Sequence, residues 1–429
     1  MTTCGKSCVE RRLAILSRRS LLHAGLGSAL AYAVSPTLAF GQSVAAPAAG
    51  GGYSVIVLWM NGGPSHIDTW DPKPGTKTGG SHKAIATKTK GMRICEHMPT
   101  LASMSDMFTV VRSVSTKEGN HQRAQYLMRT GYAPNPTVVH PSFGGWMSKL
   151  GGEPSSGLPA FVAVSGTSLG AGFLGVEYGP LVLPNAGEAP DNTGYGVDTD
   201  EARFAQRRQI LATMDKDFAT RTGDSKVLGR DAVYDKGERL MRSPDLGVFD
   251  LSHETDAARK AYGDTNFGRG CLVAARLVEH GVRYVEVTLD GWDTHKDNFG
   301  RTKKLMGQVD AGMSALLRDL RTRNLLSKTL VVWMGDFGRT PRINGDDGRD
   351  HYPQASSCVI AGARTRPGLA FGETDAEGGK VVRDALSAAD LSATLVSAVA
   401  LDPHTQFMTP VGRPIAVTDN GNPVRALLL

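Results

Sequence analysis

Leu330–His351 reads LVVWMGDFGRTPRINGDDGRDH, and its opening residues decide the fold class. Leu330, Val331, Val332, Trp333 and Met334 form an unbroken apolar run that stops at Gly335-Asp336-Phe337-Gly338. A short continuous run of this kind is how a strand covered on both faces of a parallel sheet reads. In open α/β sheets, ligands and catalytic groups collect beyond the ends of such strands, which puts Asp336 at a chemically favoured place. Asp350-His351 follow on the far side of a loop rich in Gly, Asn and Asp. Carboxylate oxygen and imidazole nitrogen are ligands that Zn²⁺ or Mn²⁺ accept, so Asp336, Asp350 and His351 are candidate halves of a metal site.

The same pattern occurs twice more. Tyr53–Met60 (YSVIVLWM) opens onto Asn61-Gly62-Gly63-Pro64-Ser65-His66-Ile67-Asp68-Thr69-Trp70-Asp71. There Asp68 is the candidate ligand, and Asp71, before Pro72, reads rather as a turn cap. Arg283–Leu289 alternates like a strand and ends in Asp290-Gly291-Trp292-Asp293-Thr294-His295, which adds Asp293 and His295. An amphipathic helix with Leu305, Val309, Met313, Leu316 and Leu320 on one face leads from this cluster back to Leu330. Strand, helix, strand, with polar clusters at both strand ends, is the unit of a parallel sheet.

A further strand, Phe108–Arg112, leads to Asn120-His121-Gln122-Arg123 at the start of a helix that closes at Thr130-Gly131. Free N–H groups at such a helix start favour anions, and Arg123 could add a charged fork for phosphate or sulfate oxygens. From 151 to 250 the patterning loosens into Gly, Pro and Asn around a polar helix near Glu201–Met214, with no histidine. This stretch reads as a cap or insertion in an α/β body running from 53 to 429.

The formal charge is +6, but five basic residues stand before residue 20 against Glu10 alone, so the body is close to neutral and no nucleic-acid partner is indicated. Cys4 and Cys8 lie in that leader, while Cys95, Cys271 and Cys358 could form at most one disulfide. No CxxC and no Cys/His cluster shows in the spacing, which argues against a thiolate zinc site. Absence of a GxGxxG after a strand, of CxxCH and of iron–sulfur spacing argues against an oxidoreductase.

Ser17-Arg18-Arg19-Ser20-Leu21-Leu22 precedes an uncharged Ala/Gly/Leu stretch to about Phe40. Basic region, apolar region and small residues describe a secretory signal, and the paired arginines resemble the twin-arginine type. Residues 1–48 are therefore expected to be a signal peptide and tether that engage the twin-arginine translocase. The expected destination is periplasmic or secreted, without a permanent membrane span.

The leader, GGPSHIDTWDPKP, RSVSTKEGNHQRAQYLMRTGY, GWDTHKDNFG and MGDFGRTPRINGDDGRDHYP together resemble a large bacterial family of exported proteins, the domain of unknown function numbered fifteen-oh-one. That resemblance implies the alkaline phosphatase superfamily, with its sulfatases and phosphate mutases. The implied fold is a three-layer α/β sandwich with a mostly parallel central sheet and one or two divalent ions, Zn or Mn, along the strand tips. Gly335-Asp336-Phe337-Gly338…Pro341…Asp350-His351 is similar to the mutases' Asp-His-Gly…Pro…Asp-His segment, except that Phe337 replaces a ligating histidine. HQRAQYLMRTGY resembles the sulfatase Cys-x-Pro-Ser-Arg…Leu-Thr-Gly segment, and matching Thr130-Gly131 puts His121 where the nucleophile would stand.

The expected function is a metal-dependent hydrolase of phosphate or sulfate esters, small or polymeric. His121 would be nucleophile or base, Arg123 or Arg339 would grip the ester oxygens, and Asp350 could orient His351. The alternative is a catalytically altered scaffold that binds an envelope partner or a surface polymer, favoured by Asn61, His121 and Phe337.

Overall fold

The computed structural model describes residues 52–223 and 226–429, so the signal peptide and tether expected over 1–48 lie outside the described residues. Eight strands form one sheet. They are β1 (Ser54–Met60), β2 (Phe108–Val114), β3 (Phe161–Val164), β4 (Leu181–Leu183), β5 (Tyr284–Leu289), β6 (Thr329–Gly335), β7 (Ser356–Gly362) and β8 (Leu369–Phe371). Their order across the sheet is β8-β2-β7-β6-β1-β5-β3-β4. β7 is antiparallel to both its neighbours, β2 and β6. All other pairings are parallel, so seven strands point one way and the ends of β1, β2, β5 and β6 open on a common rim.

The apolar runs become central strands because both faces must be covered. Every residue of β1 and of β6 is buried. The period of two divides their side chains between two cores. Val55, Val57 and Trp59 join Leu330, Val332 and Met334 on one face. Ile56, Leu58 and Met60 join Val331 and Trp333 on the other. Each fully buried Val, Leu or Ile contributes roughly 1.5–3 kcal/mol of transfer free energy, which fixes strand register more firmly than any polar contact.

The main helices are α1 (His121–Thr130), α2 (Phe143–Gly151), α3 (Glu201–Thr222), α4 (Lys226–Met241), α5 (Asn266–Glu279), α6 (Asn298–Thr322) and α7 (Ala388–Ala398). Cys271, Leu272 and Leu277 of α5 and Leu305, Val309 and Leu316 of α6 complete the first core. Trp146 and Met147 of α2 and Leu391 and Leu395 of α7 complete the second. The result is a mostly parallel sheet between two helical layers, as the family resemblance implied.

Within 151–250, β3 and β4 belong to the central sheet, while α3 and α4 pack against each other and Leu240 of α4 joins the first core. Val233, Lys236 and Leu240 of α4 line a cavity with Pro159, Ala160 and Leu181, beside the starts of β3 and β4. Cys95, Cys271 and Cys358 are all buried and unpaired, so no bridge joins them. No helix among the described residues is long and apolar enough to cross a membrane.

A histidine and carboxylate cluster at the strand tips

α1 begins where it does because Asn120 caps it, its side chain accepting from the Arg123 N–H, and it ends on Gly131 in the left-handed conformation. His121 therefore occupies the first turn, over the rim. Its Nδ1 lies 2.6 Å from Oδ2 of Asp336, which follows β6 and is fully buried. Gln125, one turn along the same helix face, donates to Asp336 Oδ2 at 3.3 Å and to Asn61 Oδ1 at 2.9 Å. Asn61 donates in turn to Asp290 Oδ1 at 2.7 Å.

The loop after β6 folds back on itself. His351 pairs with Arg339 in a two-residue antiparallel ladder, and the Thr340 N–H donates to the Asp350 carbonyl at 2.9 Å. Asn344 then bonds the His295 carbonyl at 3.0 Å and Asp350 Oδ1 at 3.3 Å. Gly348 makes this approach possible, because a Cβ there would stand 1.8 Å from the His295 carbonyl oxygen. At the end of β1, Gly62 has φ +112°, and a Cβ on it would meet the Asp293 nitrogen at 2.5 Å. Both glycines let the three strand-tip loops touch.

Three imidazoles meet as a result. His295 Nδ1 is 2.9 Å from Asp350 Oδ1, and His351 Nδ1 is 2.8 Å from the Gly119 carbonyl oxygen. With Asp336 behind His121, each Nδ1 faces a pure acceptor, which places the ring proton on Nδ1 and leaves a lone pair on Nε2. Ligand atoms of His121, Asp293 and His351 all lie within 4.8 Å of one another. His295 Nε2 and His351 Nε2 are 2.9 Å apart. Asp293 lies among them, Oδ1 at 3.2 Å from His295 Nε2 and 3.4 Å from His351 Nε2, and Oδ2 at 3.5 Å from His121 Nε2. Tetrahedral ligands at zinc distances lie about 3.3 Å from one another, and the contacts of His295 and His351 with Asp293 Oδ1 are close to that separation. Two buried atoms in the group, His121 Nε2 and Asp336 Oδ1, have no hydrogen-bond partner.

The electrostatics set an ionised Asp293 carboxylate between a His351 ring pushed toward its neutral form and a His121 ring drawn toward protonation by Asp336. Burial pushes Asp293 up, but the Arg339 hydrogen bond and charge, with His121 and His295, outweigh it and hold the carboxyl at about 2. The hydrogen bond to Asp336 raises His121 despite its burial. Burial lowers His351, which favours the free lone pair. The hydrogen bond from His295 lowers Asp350. Phe337 forms an apolar wall, its ring centroid 4.9 Å from that of His121 and 4.7 Å from that of His351.

Several sequence expectations change here. Asp68 is not in the cluster. It is fully buried and paired with Arg349, Nε to Oδ2 2.6 Å and Nη2 to Oδ1 3.2 Å, and also accepts from Ser65 and Asn298. Its lone pairs are thus occupied, and it anchors the loop that carries Asp350 and His351. Asp336 and Asp350 stand behind His121 and His295, and the backbone at Gly119, rather than Asp350, orients His351. Arg339 is fully buried and donates to Asp293 at 2.6 Å and to the carbonyls of Gly63 and Arg349, so it grips protein rather than an ester. Arg123 is half-exposed and gives Nε and Nη2 to Glu118. His66 is buried apart from the cluster, against the Gly378 carbonyl. Gln125 escaped the sequence reading; its place four residues after His121 is the signal that could have found it.

A second group also forms against expectation. His82, Cys95 and His97 have ligand atoms all within 4.8 Å of one another. The sequence concealed it because His82 and Cys95 are 13 residues apart and meet only through hairpin pairing.

The family described as protein of unknown function (DUF1501) matches residues 53–428, and the chain belongs to it. No curated protein matches the sequence. Among solved structures, the fold is similar to the PsFucS1 sulfatase from Pseudoalteromonas sp. at 12% identity and TM-score 0.37, covering 81% of this chain and 68% of that one. It is similar to the phosphonate monoester hydrolase SpPMH from Silicibacter pomeroyi at 11% identity and TM-score 0.38, covering 87% and 76%. Alkaline phosphatase from the Antarctic bacterium TAB5 gives 12% identity and TM-score 0.30, covering 72% and 91%. These likenesses are distant, and the chemistry has to come from the cluster itself.

Proposed function

We propose that the chain is an exported metal-dependent hydrolase of phosphate or sulfate esters. The observation that carries the metal is the meeting of His121, Asp293 and His351, with His295 Nε2 beside His351 Nε2 and Asp293 Oδ1, each ring fixed from behind through Nδ1. Two imidazole lone pairs 2.9 Å apart repel unless a proton or a cation lies between them, and the burial that lowers His351 disfavours the proton. A carboxylate or carbonyl holding the far N–H of each ring is the usual outer arrangement of metal-ligating histidines.

In this reading His121, His295, His351 and Asp293 hold the ion, a set suited to zinc or manganese. A divalent ion there would act as a Lewis acid toward an ester oxygen and acidify a water. The protein groups do the rest. Asp336, Asp350 and the Gly119 carbonyl keep the ring protons on Nδ1, and Arg339 keeps Asp293 ionised and aimed. Phe337 shields one side of the site from water. His121, expected as nucleophile or base, becomes a ligand, because both of its nitrogens are directed within the cluster. Phosphate or sulfate as the ester class rests on the motif resemblance alone. Export by the twin-arginine route rests on the leader residues alone.

The second reading, an altered scaffold that binds an envelope partner or surface polymer, is favoured by one feature. Neither Arg123 nor Arg339 offers an unengaged fork to an ester. Turnover of aryl phosphates and aryl sulfates by zinc- or manganese-loaded protein separates the two. The hydrolase requires turnover that is lost in His351→Ala; metal binding without turnover of either ester class supports the scaffold.

A further inference from the structure

We propose that His82, Cys95 and His97 form a second metal site that takes a zinc-class ion through one thiolate and two imidazoles. The hairpin between Ala84–Ala86 and Arg93–Cys95 sets it up. Ala84 pairs with Cys95, and the Glu96 N–H donates to the Lys83 carbonyl at 2.9 Å. Continuing that register puts His82 opposite His97, and their rings meet edge to face with centroids 4.6 Å apart. Cys95 Sγ is 3.9 Å from His82 Nδ1.

Protonation again follows from the partners. His82 Nε2 lies 3.2 Å from the Phe299 carbonyl oxygen, which can only accept. The ring proton is therefore on Nε2, and the Nδ1 lone pair faces the sulfur. Tetrahedral zinc with its usual bond lengths sets sulfur and nitrogen about 3.6 Å apart, close to the 3.9 Å between Cys95 Sγ and His82 Nδ1, and all three ligand atoms lie within 4.8 Å of one another. Cys95 and His82 are buried, whereas His97 is only part-buried, so the ion would be reached from the His97 side. Burial pushes the metal-free thiol up to about 12, so binding would release its proton.

The position gives the ion a structural task. The Cys95 N–H donates to the Thr69 carbonyl at 2.8 Å, within the turn that holds Asp68. Phe299 belongs to the first turn of α6, next to Asn298, which donates to Asp68 at 2.8 Å. An ion here would fasten the hairpin to α6 behind the Asp68–Arg349 pair, and so support the loop that carries Asp350 and His351.

Purified full-length protein, stripped by chelation and titrated with Co²⁺ alone, tests the site. A near-ultraviolet thiolate-to-cobalt charge-transfer band should grow to one equivalent and be displaced by Zn²⁺. It should be absent in Cys95→Ser and unchanged in His351→Ala, since the strand-tip cluster contains no sulfur. His97→Gln, a part-buried position that should not disturb folding, should weaken cobalt binding by more than the about 10–100-fold that losing an outer partner costs. Absence of the band in folded wild-type protein, its persistence in Cys95→Ser, or an unchanged affinity in His97→Gln would each overturn the proposal.

Discussion

Arg349→Met removes the cation that holds Asp68, and the structure sets the size of the effect. Both side chains are fully buried and joined by two contacts, at 2.6 and 3.2 Å. Two unit charges about 4 Å apart interact by about 4 kcal/mol at the effective dielectric typical of proteins. The substitution also takes donors from the carbonyls of Thr78 and Thr340. Ser65 and Asn298 still bond Asp68, so it stays desolvated and loses its counter-charge. Breaking one side of a buried pair costs about 3–5 kcal/mol, a large part of the about 5–15 kcal/mol that holds a typical protein together. Asp68→Asn should cost a similar amount. Arg349→Met with Asp68→Asn should cost clearly less than the two singles added, because the second change removes the charge orphaned by the first. Urea denaturation of chelated protein at one pH, read as midpoint shifts at constant slope, gives all three values. Singles costing under about 1 kcal/mol, or a strictly additive double, would refute the claim that this pair anchors the loop.

Other consequences follow from the same geometry. Gly348→Ala forces a Cβ against the His295 carbonyl oxygen; an overpacking cost of about 1–3 kcal/mol is expected by denaturation, with weaker divalent binding by calorimetry. Asp336→Asn removes the anionic partner behind the His121 ring and should lower metal affinity about 10–100-fold, measured by chelator competition. In metal-free protein the raised His121 contributes stability that is fully present below its ordinary 6.5 and lost as pH rises through its higher folded value. Melting temperature against pH should therefore fall across that window in wild type and flatten there in His121→Ala. Metal loading should show the opposite trend, weakening as pH falls, because protons compete for His121.

The sheet was legible because burial on both faces leaves a local signature. Val55–Met60 and Leu330–Met334 have no polar residue that a solvated strand would need; the first stops at Asn61-Gly62-Gly63 and the second at Gly335-Asp336. The rim residues were legible for the same reason: Asp293, His295, Asp336 and His351 all follow such a stop. What local spacing could not show is which side chain faces which. His121 and Asp336 are 215 residues apart, and nothing near either says that the carboxylate lies behind the ring rather than beside His351. Asp68 looks like Asp293 in its local context, and only the meeting with Arg349, 281 residues away, takes it out of the cluster. Arg339 was read as an ester clamp because charge alone is visible in a sequence; its complete burial depends on the carbonyls of Gly63 and Arg349. His82, Cys95 and His97 show the same gap between composition and pairing.

Metal content measured on the Cys95→Ser protein tests the central claim most directly, since among the described residues that background leaves the strand-tip cluster as the intact group of candidate ligands. After equilibration with Zn²⁺ or Mn²⁺ and removal of loosely held ions, at least one tightly bound equivalent per chain is expected. The same protein carrying His351→Ala should lose it while keeping its fold. A folded Cys95→Ser protein that retains no divalent ion, or one whose content is unchanged by His351→Ala, would contradict the account.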